Sequence, residues 1–197
     1  VDQPTIVADW LTLRRFTTAD IPWVYEVSLD PALQQFVQLP SPYRLEHAAF
    51  FVHQLAIAGW DSGQRAEFVA EATGTGRRLG RVGLGLKTTG VAEVGYWVDP
   101  KVRDRGVATE AVRAVCRWAF AALDLELIEW RTEVGNVVSR RVAEKAGFLV
   151  EATLRRRLLH RGKRVDAWVG SLLRAEASSG DDGGGPSRDL GRLTDQA

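Results

Sequence analysis

The chain has little of what several protein classes require. Cys116 is the only cysteine among 197 residues, so no internal disulfide can form. Histidine occurs at His47, His53 and His160, with no cysteine cluster near any of them. His47 and His53 are six apart, which puts them on different faces of a helix, and no metal site is expected. No stretch approaches the length of about 18 apolar residues that a membrane span needs. The opening residues lack a basic region followed by an apolar run, so no signal peptide is expected and a cytoplasmic location is the default. Neither sign of charge dominates: 26 Lys and Arg against 25 Asp and Glu leave a formal net charge of +1. Composition therefore argues for no nucleic-acid partner. Lysine is scarce, at Lys87, Lys101, Lys145 and Lys163 only, and the arginine, alanine and glycine in its place fit a GC-rich bacterial genome.

What remains suits one domain with a sizeable core. Residues 10–16, WLTLRRF, alternate as a strand does. TTADIPWVYEVSLD then offers Thr17 or Thr18 as a helix cap, with Asp20 in the first turn. Residues 44–60 have helical spacing and a stop signal at Gly59. AEFVAEAT, the turn GTGR and RLGRVGLGLK read as a hairpin, with VAEVGYWV as a third strand beside it. A long helix to about Leu123 follows; Cys116 lies on its apolar side and reads as a core residue. Residues 125–134 read as a buried strand, residues 136–148 as a short helix ended by Gly147, and FLVEATL and RVDAWVGSLLR as the last strands. The basic run RRRLLHRGKR between those strands reads as a solvated connection rather than a nucleic-acid site. The domain is expected to cover residues 1–174. Residues 175–197, rich in Gly, Ser and Asp, are expected to form a flexible tail.

The informative stretch is VDPKVRDRGVATEAV, where a strand gives way to a helix across Arg103, Asp104, Arg105 and Gly106. The first N–H groups of a helix lack intrahelical partners and sit at the positive end of its dipole. A glycine there accepts unusual dihedrals and lets a phosphate approach the backbone. Two arginines add charge. The pattern suits a pyrophosphate, yet it is neither the nucleotide-kinase loop nor the three-glycine dinucleotide fingerprint.

RDRGVA resembles the Arg/Gln-x-x-Gly-x-Gly/Ala signature of the GNAT N-acetyltransferases. EVGYWVDPKVRDRGVATEAV, GNVVSRRVAEKAGF, RGKRVDAWVGSLL and the opening LTLRRFTTAD are similar, in order and spacing, to the branch that acetylates ribosomal-protein N-termini (alanine or serine). The resemblance covers residues 10–174. It implies an α+β fold: a mixed, mostly antiparallel central sheet with splayed middle strands and helices on both faces. It implies acetyl-CoA as co-substrate, held by Arg103, Asp104, Arg105, Gly106, Val107, Ala108 and Thr109 at the pyrophosphate. Trp97 and Val98 would meet the pantetheine arm along a strand edge, and Asn136 would contact the same arm. It further implies transfer of acetyl to an amine, either a protein N-terminus or a small molecule. A transferase of another acyl group, such as succinyl, and a non-catalytic acyl-CoA sensor are the alternatives. A homodimer is left open, and no membrane partner is expected.

Glu93 is the candidate base, on the strand that leads into the loop; alternation places it with Gly95 and Trp97, opposite Val94, Tyr96 and Val98. Glu151 and Asp166 are weaker candidates, read as structural. Asn136 and Ser139, three apart, share one helix face. Asn136 also reads as a helix cap. Many family members carry a tyrosine seven residues after this Asn as acid for the leaving thiolate. Ala143 stands there, which leaves Ser139 or water for that task. Trp23 and Tyr25 belong to the first helix, which in this fold flanks the acceptor groove.

Overall fold

The computed structural model describes residues 3–177. The chain order is β1 (Ile6–Val7), β2 (Leu11–Arg15), α1 (Ile21–Ser28), α2 (Pro31–Phe36) and α3 (Leu45–Phe50), which continues through a π-helical stretch (Phe51–Ile57) into α4 (Ala58–Asp61). Then come β3 (Arg65–Ala72), β4 (Arg78–Thr88), β5 (Val91–Val98), α5 (Val107–Ala122), β6 (Leu127–Glu133), α6 (Val137–Ala146), β7 (Leu149–His160), β8 (Lys163–Leu173) and α7 (Arg174–Ala177). The strands form one 8-stranded sheet in the order β1-β2-β3-β4-β5-β6-β8-β7. Neighbours are antiparallel except β5 and β6, which run parallel. The expected boundary at 174 falls on the first residue of α7, and residues 178–197 of the expected tail lie outside the described residues.

Strand alternation builds two cores. Leu11, Leu13, Phe68, Val82, Leu84, Val94, Ile128 and Trp130 point to one face and pack on α5. That helix turns Val107, Ala111, Val112, Val115, Cys116 and Ala119 inward, at the spacing of an amphipathic helix. Cys116 is 2% exposed, and burial pushes its thiol well above the ordinary range. On the other face Phe16, Val24, Tyr43, Ala48, Val52, Ala56 and Val69 form a smaller core under α1 and α3. Helices thus cover both faces, as the resemblance implies.

Asp20 anchors the start of α1. It accepts from Arg14 at 2.8 and 2.9 Å, from Arg78 at 2.7 Å and from the Thr17 amide at 2.8 Å. Burial alone would raise its carboxyl; the hydrogen bonds from Arg14, Thr17 and Arg78 outweigh it and hold the group at about 2.

Two local readings are corrected by the structure. The helix does not stop at Gly59 but runs to Asp61. A Cβ at Gly59 would lie 3.1 Å from the Cβ of Arg65, so this glycine serves a close approach to β3 rather than a terminus. The basic run at 155–164 is not a connection. It is the end of β7, a tight turn at Arg161 and Gly162 with φ of 47° and 74°, and the start of β8. Arg155, Arg156 and Arg157 lie on β7, an edge strand, where charge discourages pairing with another chain. The ladder slips between Leu154 and Leu158, with Arg156 at φ 54°. Asp166 accepts the freed Arg156 amide at 2.9 Å, and Glu151 accepts from Ser171 at 2.6 Å, so both carboxylates tie this hairpin together.

Candidate active site

The parallel pairing of β5 and β6 is short. It joins Val91 to Leu127, Ala92 to Ile128 and Glu93 to Glu129, and then the strands part. Beyond that vertex, residues 94–98 keep β4 on one side and residues 130–133 keep β8 on one side. The facing edges have no strand between them, which leaves backbone groups free for a ligand that can pair as a strand does. Trp97 and Val98 lie on one of these edges.

The glycine junction stands at the open end of this gap, directly after β5. Asp99 closes a turn by accepting from the Lys101 amide at 2.9 Å and from Trp23 Nε1 at 3.0 Å. Trp23 also packs on Trp97, with ring centroids 5.0 Å apart, so α1 steadies the end of β5. Tyr25, by contrast, stacks on Tyr43 at 6.3 Å. Asp104 and Gly106 adopt positive φ, 62° and 81°, and Gly106 is the cap residue of α5. The first intrahelical bond runs from the Glu110 amide to the Gly106 carbonyl at 3.0 Å. The amides of Val107, Ala108 and Thr109 find no acceptor among the described residues, which is the arrangement an anion uses. Arg105 is exposed with no ion-pair partner among the described residues. Arg103 instead reaches Asp30, the cap of α2, and ties the loop to that helix. Burial opposes the charge on Asp30, but hydrogen bonds from Arg103 and the Leu33 amide prevail and lower its carboxyl.

On the α5 side of the gap, Ser139 gathers three groups. Trp130 Nε1 of β6 donates to its Oγ at 3.1 Å, and the Tyr96 hydroxyl of β5 lies 2.9 Å from both its Oγ and its carbonyl oxygen. Burial pushes the Tyr96 phenol up to about 12, which its hydrogen bonds to Ser139 and Trp130 only partly offset, so it stays a neutral donor. Asn136 caps α6: its Oδ1 accepts from the Ser139 amide at 3.2 Å, while its Nδ2 donates to Thr132 Oγ1 at 2.9 Å. The bond between Tyr96 and Ser139 links residues 43 apart, so no local pattern foretells it.

On the opposite face the floor is charged. Glu93, at the vertex, accepts from Arg131 Nε at 2.8 Å and also pairs with Lys87. Lys87 donates in turn to Glu129 at 2.8 Å. Deeper, the fully buried Glu67 accepts from Arg81 at 2.7 and 2.6 Å and from Arg65 at 3.0 Å. Gly83 makes room for that carboxylate, since a Cβ there would lie 1.9 Å from Glu67 Oε2.

A sheet with a V-shaped gap beside a helix-capping anion loop defines an enzyme class that receives a nucleotide-linked acyl donor. The chain belongs to the GNAT acetyltransferases: the acetyltransferase (GNAT) domain model matches residues 11–149. It is an N-acetyltransferase. It aligns at 25% identity over 174 residues, 87% of this chain and 97% of the relative, with the uncharacterized N-acetyltransferase p20 of Bacillus licheniformis. Shorter stretches, 40–43% of this chain and 45–48% of the relatives, align at 33–39% identity with proteins named as N-acetyltransferases in Bacillus subtilis and Escherichia coli. Among solved structures, a GNAT acetyltransferase from Bacillus anthracis shares the fold with a TM-score of 0.78 at 23% identity, covering 88% of this chain and 100% of that one. The ribosomal L7/L12 α-N-protein acetyltransferase RimL, solved with coenzyme A, does so at 0.77 and 19% identity, covering 86% and 98%.

Proposed function

We propose that this N-acetyltransferase takes acetyl from acetyl-CoA and passes it to a primary amine, of a protein N-terminus or a small molecule. The observation that carries the reading is the left-handed Gly106 with three unpaired helix amides, set at the mouth of a gap with two free strand edges. RimL and a spermidine N-acetyltransferase from Vibrio cholerae share the fold and are both named with coenzyme A, which supports the choice of donor and leaves both acceptor kinds in play.

The amides of Val107, Ala108 and Thr109, with Asp104, Arg105 and Gly106, would hold the pyrophosphate, and Arg103 would steady the loop through Asp30. The edge at Trp97 and Val98 would pair with the amides of the pantetheine arm, with Asn136 on the other side. The thioester supplies an activated acyl group; the protein supplies position and electrostatics. The free backbone amides near Val98 suit a developing oxyanion.

Ser139 is the donor for the departing sulfur. Trp130 Nε1 can only donate, so it fills one lone pair of the Ser139 hydroxyl. Tyr96 has one proton and the Ser139 carbonyl oxygen can only accept, so with the phenol donating there the serine hydroxyl donates to the phenol oxygen, and this is the proton that turns toward the departing sulfur. This network takes the place of the tyrosine that Ala143 replaces. Glu93 stands at the vertex, and turnover of Glu93→Gln measures its share of the proton transfer.

The test is thiol release from acetyl-CoA in the presence of N-terminal peptides, polyamines and amino acids, repeated with succinyl-CoA. Acetyl-CoA is expected to turn over with at least one amine and succinyl-CoA with none. Coenzyme A binding without turnover on any amine would reject the reading.

A further inference from the structure

His160 lies at the tip of the β7–β8 hairpin, and its Nδ1 is 2.6 Å from Oε2 of Glu133 at the end of β6. Its side chain is 12% exposed. The other ring nitrogen, Nε2, meets neither solvent nor a hydrogen-bond partner among the described residues. A buried imidazole nitrogen without a partner is costly in a finished structural pair and calls for an explanation. In the neutral ring Glu133 accepts the Nδ1 proton, which leaves the lone pair on Nε2.

The place fits a chemical use. Glu133 lies four residues past the last rung that joins β6 to β5, on the free edge of the gap. It has the strand parity of Glu129 and Arg131, whose side chains reach Lys87 and Glu93, so it belongs to the charged face. The hairpin tip is pinned over that face: Arg161 donates to the Gln34 carbonyl at 2.9 Å, and Gln38 Nε2 donates to the Leu159 carbonyl. Ser139 stands on the opposite face of the same gap, bonded to Tyr96. Amine attack and thiolate departure need proton-handling groups on different sides of the carbonyl carbon. These two residues supply that separation.

We infer that His160 is the general base for the acceptor amine and that Glu133 is its positioning residue; the inference rests on the acetyl-transfer reading above. As the amine nitrogen spends its electron pair on the new C–N bond, one N–H proton passes to Nε2, and imidazole becomes imidazolium beside the Glu133 carboxylate. The C–S bond breaks, the sulfur keeps its electron pair under a hydrogen bond from Ser139, and the thiolate takes a proton from water on release. The imidazolium returns its proton to solvent. Glu93 Oε2 is likewise buried without a hydrogen-bond partner among the described residues, but Glu93 is ion-paired with both Arg131 and Lys87, two cations that an arriving proton would face, whereas His160 faces one carboxylate.

The experiment uses the whole chain with an acetyl-CoA and amine pair that turns over. His160→Ala and His160→Gln should lower kcat by about 10²–10⁴-fold with coenzyme A affinity by calorimetry unchanged, and added imidazole should restore a large part of the His160→Ala rate. Glu133→Gln should lower kcat while leaving KM for acetyl-CoA in place. Independent of activity, 15N spectra of the ring should show the neutral Nδ1–H tautomer in the wild type and a mixture in Glu133→Gln. Wild-type kcat in both His160 variants, loss of kcat together with cofactor affinity and no imidazole rescue, or an Nε2–H tautomer in the wild type would each overturn the assignment. So would a comparable loss in Glu93→Gln with none at His160. A wild-type protein inert to every amine would sink the transfer reading as well, which separates the two failures.

Discussion

At the scale of single residues, the decisive groups are those whose hydrogen bonds are already spoken for. Ser139→Ala removes the acceptor of Trp130 Nε1 and one of the two partners of Tyr96, whose bond to the backbone carbonyl of residue 139 stays. Turnover should fall roughly 10-fold or more and stability by about 1–3 kcal/mol, with coenzyme A affinity kept. Steady-state kinetics, urea titration and calorimetry on one preparation check the three parts. Glycines make a sharper pair. Gly83→Ala drives a methyl to within 1.9 Å of Glu67 Oε2 and must dislodge a buried carboxylate from Arg81; about 3 kcal/mol should be lost. Gly85→Ala, two residues on in the same strand, meets nothing within 4 Å and should cost well under about 1 kcal/mol. Equal effects by denaturant titration would mean that Glu67 yields easily. None of these contacts is legible in the sequence, because each depends on strand register: Glu67 meets Gly83 only through the β3–β4 ladder, and Glu133 meets His160 across β8. Nothing around His160 in the sequence marks its pairing with Glu133.

Elements were legible where one residue's backbone preference decides them. Gly147 at φ 101° ends α6, and Gly106 at φ 81° starts α5, as their neighbourhoods in the sequence predict. Gly59 misled because a glycine in a helix marks either an end or a close crossing, and only the partner, Arg65, tells which. The π-helical stretch before it has no local sign that we identify. Two tests belong to this scale. Gly106→Glu places a side chain and a negative charge in a left-handed position beside three unpaired amides. Coenzyme A binding should vanish by calorimetry while circular dichroism shows the fold retained, since the strain is only about 1–2 kcal/mol. Asp20 docks α1 on β2 and β4 through Arg14 and Arg78. Its carboxyl sits at about 2 in the folded chain, below its unfolded value of about 4, so its contribution is full above pH 4 and is lost as pH falls through 2. Asp20→Asn should be less stable than wild type by about 2 kcal/mol at pH 7, and the gap should narrow below pH 4 in urea titrations at each pH.

For the whole molecule, the parallel junction of β5 and β6, three rungs long, is the thinnest seam in the interior of the sheet; only the pairing of the edge strand β1 with β2 is shorter. It divides the chain into two leaves, β1–β5 with its helices and β6–β8 with α6. A ligand that lies between the free edges as a strand turns both into interior strands. Its binding energy therefore appears as stability: about 2.7 kcal/mol at a hundredfold excess over Kd, or a rise of about 5–10 °C in melting temperature. Amide hydrogens of residues 94–98 and 130–133 on those edges should slow in exchange, while those of β2 and β3, far from the seam, should change only through the global term. Calorimetric melts across a coenzyme A series, with exchange mass spectrometry at each end of it, read both effects. By the same coupling, limited proteolysis should cut the chain more slowly with coenzyme A bound than without it, because the ligand lowers the population of opened chain.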